Sequence, residues 1–405
     1  MILPPPPRTI PRTAACWAWI EPVSPNDRVG LGMVGGGQGA FIGAVHRIAA
    51  RLDDAYSLVC GALSSDPVRA RASGLELGLD PARVYGSYAE MFAAERDRPD
   101  GMEAVAIVTP NQLHYPVGCA ALEAGFHVIC DKPLATSTAE ADALVKLATD
   151  SKRIFAVTYN YSGYPMMRQA RAMVARGDIG ALRVVQVEYA QAWLAGPLET
   201  TGQKQALWRT DPTQSGPGGA IGDIGSHAFH LACFVTGCVP EQILGDLSTF
   251  VPSRRVDDNA HVLLRFAGGA RGMLWASQVA HGHENALRLR IYGEAGGLEW
   301  AQEEPDRLWF TPSDQPRRQL TRGGPAMTAE AARVARLPAG HPEGYLEGFA
   351  TIYAEVARAI RAARDGVAPA PEVMFPSVAD GALGVRFIAA SVKSSAEGAR
   401  WIDLL

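Results

Sequence analysis

Val29-Gly30-Leu31-Gly32-Met33-Val34-Gly35-Gly36-Gly37-Gln38-Gly39-Ala40 is the stretch whose reading decides the fold. Its apolar first half predicts a short strand buried on both faces. The glycines that follow fit G-x-G-x-x-A and open a helix. Gly35 permits a tight turn, Gly37 lets backbone approach a pyrophosphate, and the small Ala40 lets helix pack on strand. A helix N-terminus there presents free N–H groups and partial positive charge to phosphates. Gly35, Gly37, Gln38, Gly39, Ala40 and Phe41 are therefore expected to hold a dinucleotide, because the motif follows the first buried strand of a βαβ rhythm.

That rhythm continues through Tyr56 to Leu63, Ala104 to Val108 and His127 to Cys130, three more apolar runs of strand length. Between the runs lie helical patterns. Ser137 and Glu140 form a capping box for a helix from Thr138, with Ala141, Leu144, Val145 and Ala148 on one face. Strand and helix in alternation predict a doubly wound parallel sheet of the Rossmann type. After Tyr159 the rhythm changes. Arg183 to Tyr189, His261 to Phe266, Gly272 to Ser277 and Leu287 to Tyr292 read as strands, and Gly268-Gly269 as a hairpin turn. Leu287, Leu289 and Ile291 face one way, Arg288, Arg290 and Tyr292 the other. The second half is expected to be α+β, with a large, mostly antiparallel, open-faced sheet. Glu303 to Pro338 reads as an irregular excursion before a helix carrying Tyr345, Phe349, Ile352, Tyr353, Val356 and Ile360 on one face. The expected division is a flexible extension over 1–27, a dinucleotide-binding domain over 28–157 and a substrate-binding and oligomerisation domain over 158–405.

Composition narrows the function classes. Hydrophobic residues make up 47% of the 405 and charged residues 20%, the balance of a globular protein with a full core. A net charge of −4 advertises neither nucleic acid nor an anionic membrane as partner. No apolar stretch reaches the roughly 18–20 residues that span a bilayer. Cysteines at 16, 60, 119, 130, 233 and 238 form no CxxC pair, and no histidine cluster has zinc spacing, so no metal is expected. Reduced thiols and the lack of an export signal point to the cytoplasm.

The second strand should end in an acid that grips a ribose 2′-hydroxyl. Ser64 stands there instead, followed by Ser65 and, a few residues on, Arg69. A serine does not repel a 2′-phosphate and Arg69 adds positive charge, so NAD and NADP both remain open.

Three further stretches, with the glycine loop, resemble the Gfo/Idh/MocA family of oxidoreductases. They are Thr109-Pro110-Asn111-Gln112-Leu113-His114, Asp131-Lys132-Pro133 where the family usually has Glu-Lys-Pro, and Gly218-Gly219-Ala220-Ile221-Gly222-Asp223-Ile224-Gly225-Ser226-His227. Order and spacing agree from Val29 to about Ile388. The resemblance implies hydride transfer between nicotinamide and a sugar, cyclitol or glycoside. It places Thr109, Pro110, Asn111, His114, Asp131 and Lys132 at the cofactor. Tyr159, Asn160, Tyr161, Arg168, Trp208, Arg209 and His230 are candidates for the substrate pocket.

Residue chemistry points the same way. Asp223 and His227 are four apart and would share a helix face. The carboxylate of Asp223 can orient the imidazole and favour its protonated form, or orient the substrate, and His227, a substrate contact as well, is a suitable base for a hydroxyl proton. Lys132, past a strand's carboxyl end, can stabilise a developing alkoxide, and Pro133 restricts it towards extended geometry. Two other readings stand beside the dehydrogenase: a redox-assisted glycosidase that returns its NAD unchanged, and a non-catalytic ligand sensor on a dinucleotide fold. The half-apolar sheet is expected to join copies into a dimer or tetramer.

Overall fold

A computed structural model describes Ser24 and residues 27–404. Most of the expected extension over 1–27, including Cys16, lies outside the described residues.

Five parallel strands form the first sheet: β1 Val29–Gly35, β2 Tyr56–Ala62, β3 Ala104–Val108, β4 His127–Cys130 and β5 Phe155–Val157. Their order is β2-β1-β3-β4-β5. Chain direction across the sheet reverses between β1 and β3, so the crevice for a ligand opens above the ends of these two strands. Val105, Ile107, Val128 and Ile129 are buried completely, as near-continuous apolar strands require. The Ser137/Glu140 capping box starts the Thr138–Ser151 helix as its sequence demands.

Nine strands form the second sheet: β6 Leu182–Ala190, β7 Pro240–Ser248, β8 Asn259–Phe266, β9 Arg271–Ser277, β10 Ala286–Gly293, β11 Gly296–Ala301, β12 Arg307–Pro312, β13 Arg318–Thr321 and β14 Ile402–Asp403. The order is β13-β12-β11-β10-β6-β9-β8-β7-β14, antiparallel except for β6 beside β9. Leu287, Leu289 and Ile291 point into a core shared with the Ser226–Thr236 helix. Gly268 and Gly269 take the positive φ values of 75° and 92° that the β8–β9 hairpin turn needs.

Two expectations change. Glu303 to Pro338 is irregular only in part: Leu308 and Phe310 alternate inward on β12, and β12 with β13 extends the sheet. Proline, glycine and arginine nearby hide that short alternation. Buried Arg322 then anchors the return, pairing with Asp306 at 2.7 Å and Glu343 at 3.0 Å. The Tyr345–Arg364 helix, from the second half of the chain, packs Phe349, Ile352, Tyr353 and Val356 against β1 and its neighbours. A simple cut near 157 therefore does not divide the packing.

Candidate active site

The glycine turn is built as a cradle. Gly35, Gly36 and Gly39 have φ of 82°, 72° and 78°. A Cβ on Gly37 would lie 2.7 Å from both the Leu63 carbonyl oxygen and Ser73 Oγ. The closest approach of helix to turn belongs to Gly43, whose Cβ would meet Gly36 Cα at 2.4 Å. Ala40, given that role by the motif, is instead the N-cap residue of the Phe41–Leu52 helix. Gly43 was missed, although it stands one turn into the helix from Ala40. The Gln38 amide donates to Ser73 Oγ at 3.0 Å and its side chain to Glu76 at 2.9 Å, tying the turn to the Pro67–Glu76 helix. Ser64 Oγ accepts from the Asp66 amide at 3.1 Å, while Ser65 and Arg69 are exposed.

These residues fit a dinucleotide. The helix end that faces the turn has no capping side chain and no acid in its first turn, so its positive end is left to an outside anion. Thr109 Oγ1, at the end of β3, is buried with no partner. Position 39 is open, with nothing within 4 Å of an added Cβ.

Lys132 follows β4 and precedes a cis peptide bond to Pro133. Asp131 holds the loop: its Oδ1 accepts from the Lys132 amide at 2.8 Å and from Thr158 Oγ1 at 3.0 Å. Asp223 and His227 come from the other domain, across a π-helical turn, Ile221–Gly225, that runs into the Ser226–Thr236 helix. Lys132 Nζ donates to Asp223 Oδ1 at 2.8 Å and to the Asp223 carbonyl at 2.6 Å. Asp223 Oδ2 accepts from Gln278 Nε2 at 2.9 Å and faces Arg209 Nε at 3.4 Å. Burial would raise the Asp223 pKa, but Lys132 and Arg209 outweigh it and hold the carboxyl well below the usual range. Gln278 carries no sequence signal beyond its place after a strand.

His227 makes no bond to Asp223, which corrects the expected imidazole–carboxylate pair: Lys132, Arg209 and Gln278 occupy the carboxylate. Burial first, and then the Lys132 cation, push the His227 pKa well below its ordinary value, while Asp223 pulls it weakly upward. The ring is therefore neutral, not favoured in its protonated form. Its Nδ1 is buried without a partner. Tyr161, Tyr159 and Tyr189 surround it edge-on, with ring centroids at 5.0, 5.7 and 6.3 Å.

Other expected residues divide. Arg209 stacks its guanidinium 4.2 Å from the Trp208 ring, within reach of Asp223. Tyr161 donates to or accepts from Tyr189 Oη at 2.5 Å, and Tyr189 donates to Asn285 at 2.7 Å. Asn160 is buried, its Nδ2 without an acceptor. Tyr159 is fully buried and stacks on His230 at 4.4 Å, so its ring is a wall behind His227 rather than a platform for a sugar. His230, on the face of that ring, is pushed down to about 4 by burial, against the pull of Asp380. Asn111 and His114 do not reach outward either. Asn111 Nδ2 bridges to the Ser215 carbonyl at 2.9 Å. His114 is buried with its ring nitrogens 2.7 Å from the Pro133 carbonyl and 3.0 Å from that of Thr109, stapling the β3 and β4 loops. Arg168 is elsewhere altogether. Its guanidinium lies 3.8 Å from the buried Glu355 and donates to the Met374 carbonyl, and its own burial, with the neighbouring arginines adding to it, holds its pKa down to about 10.

A dinucleotide cradle at the β1–β3 crevice, with a lysine from one domain and an aspartate and a histidine from the other, defines a two-domain nicotinamide-dependent oxidoreductase. Residues 29–159 match the model of the oxidoreductase family with an NAD-binding Rossmann fold, and residues 167–299 match the GFO/IDH/MocA C-terminal domain. The chain belongs to the GFO/IDH/MocA oxidoreductase family, and its Rossmann domain is NAD-binding. It is similar to an oxidoreductase from Sinorhizobium meliloti, at 53% identity and a TM-score of 0.85, over 93% of this chain and 99% of that one. An inositol dehydrogenase homologue from Azotobacter vinelandii, solved with NAD+, is 38% identical with a TM-score of 0.90, over 93% and 97%. Levoglucosan dehydrogenase of Pseudarthrobacter phenanthrenivorans is 30% identical, over 69% of this chain and 75% of its own. No helix among the described residues is long and apolar enough to cross a membrane.

Proposed function

We propose that this chain moves a hydride between nicotinamide and a secondary carbon of a cyclic polyol: a sugar, a cyclitol or a glycoside. The observation that carries the reading is the Lys132–Asp223 bond at 2.8 Å, with His227 one helical turn beyond Asp223 and its Nδ1 buried without a partner. Bound NAD supplies the hydride chemistry. Lys132 holds the reacting oxygen and stabilises its developing negative charge. His227, having a free lone pair, accepts the hydroxyl proton. Asp223 keeps the ammonium aimed, with Arg209 and Gln278 fixing the carboxylate. Relatives named for inositol and levoglucosan support a cyclic polyol as the substrate class.

The outward face of the large sheet carries Val184, Leu263 and Met273, each more than a third exposed. It is the face proposed to join copies into a dimer or tetramer. A panel of sugars, inositols and glycosides, offered with NAD and with NADP, tests the reading through absorbance of the reduced nicotinamide. Reduction with at least one cyclic polyol is expected. Aglycone release without net reduction would favour a redox-assisted glycosidase, and silence across the panel a ligand sensor.

A further inference from the structure

The π-helical turn that delivers Asp223 is held from below by one residue outside it. Asp257 lies on the short approach to β8. Its Oδ1 accepts from the Gly219 amide at 2.6 Å, its Oδ2 from the Ile221 amide at 2.8 Å, and its carbonyl from the Ala220 amide at 2.9 Å. Three consecutive amides thus converge on a single residue. Gly219 has no room for a side chain there, since a Cβ would lie 2.0 Å from the Asp257 carbonyl oxygen. The Asp223 amide in turn donates to the Gly219 carbonyl at 2.8 Å, so the clamp passes directly to the site. The adjacent Asp258 acts from the other side. Its carbonyl accepts from the Gln278 amide at 2.9 Å, and the Gln278 side chain donates to Asp223.

We propose that Asp257 is a positioning residue, whose ionised carboxylate holds the Gly219–Ile221 turn in the geometry that presents Asp223 to Lys132. The inference rests on the proposed reaction for its kinetic readout and on the buried clamp for the rest. The two amides point at two different oxygens, both of which accept freely in a carboxylate, whereas protonation or an asparagine puts a donor at one of the two positions. Yet the group is 7% exposed, and among the described residues no cation pairs with it. Arg254 is taken by Glu199 and Asp258, and Arg255 by Asp211. Asp258 beside it and Asp223 across the turn are both acids. Burial first, opposed by the amide hydrogen bonds, pushes the Asp257 carboxyl up to about 6. Protonation near that pH removes one acceptor and loosens the turn.

The test compares wild type with Asp257→Asn by kcat, KM and melting temperature across pH 4.5 to 9. In wild type, kcat is expected to fall on the acid side with a limb near pH 6, above the depressed ranges of His227 and Asp223. Asp257→Asn should lower kcat by about tenfold to a hundredfold at pH 8, with KM and the dissociation constant of NAD nearly unchanged, and should lack the limb. Melting temperature gives a readout without turnover. A carboxyl raised above its unfolded value loses stability as pH climbs from about 4 to about 6, so wild type should lose ground against Asp257→Asn over that window and hold level above it. If wild type turns over no polyol, the proposed reaction fails while the melting comparison still reads Asp257. If the variant does not fold, the wild-type limb decides. A flat wild-type profile, a limb that survives in Asp257→Asn, or a melting difference that ignores pH overturns the inference.

Discussion

Lys132 Nζ and Asp223 Oδ1 lie 2.8 Å apart, although 91 residues separate them in the chain and each belongs to a different sheet system. The pair ties the NAD-binding domain to the C-terminal domain. Its first consequence is kinetic. Lys132→Met removes the cation that faces the reacting oxygen, and kcat should drop by about a hundredfold to a thousandfold. NAD affinity, measured by quenching of intrinsic fluorescence, should stay within about threefold, because the glycine cradle is untouched. Unimpaired kcat would remove Lys132 from the chemistry.

Asp223→Asn tests the same pair through stability. Its loss leaves Lys132 and Arg209 as half-buried cations without a counter-charge, at a cost of about 3 kcal/mol. The native Asp223 pKa is depressed, so its stabilisation is present above the unfolded carboxyl value near 4 and is lost as pH falls through the lower folded value. The deficit of the variant in thermal melts should therefore be constant from pH 8 to about pH 5 and shrink only in stronger acid.

His227→Asn removes the proton acceptor and keeps a polar side chain of similar reach. A loss of about a hundredfold or more in kcat is expected. In the apo enzyme, NMR of labelled histidine should show the His227 ring titrating well below the ordinary histidine value, because burial and then Lys132 disfavour its charge. A ring that titrates near 6.5 would contradict that electrostatic account.

Arg168→Met separates pocket from scaffold. The sequence suggested a substrate contact, whereas the structure gives Arg168 a place beside Glu355 with Arg333 and Arg358 close by. The variant should melt lower and keep its KM for polyol within about twofold. A selective rise in KM would return Arg168 to the pocket.

The parts of the fold that the residues made legible are those with local signals. β1 and its glycine turn, the Ser137/Glu140 capping box and the alternating β10 all follow from period and turn chemistry alone. β12 and β13 were hidden because four to six residues of alternation are too few to stand out among prolines and arginines. At the site, Lys132, Asp223 and His227 could be picked out by motif. Their mutual arrangement could not, because it depends on the π-helical turn and on long-range partners. Gln278 reaches Asp223 by its side-chain amide and Asp257 grips the backbone amides of the turn, contacts that no spacing in the chain announces. His114 and Asn111 sit in a motif at the cofactor end, yet each is committed to a backbone carbonyl, a distinction that only packing makes.

Hydride transfer itself is the central claim, and isotope tracing tests it most directly. A cyclic polyol deuterated at its reacting carbinol carbon, incubated with the enzyme and NAD, should give NADH carrying that deuterium at C4 of the nicotinamide. The same incubation with Lys132→Met should give little. Deuterium released to solvent, or product formed with unlabelled NADH, would contradict the account.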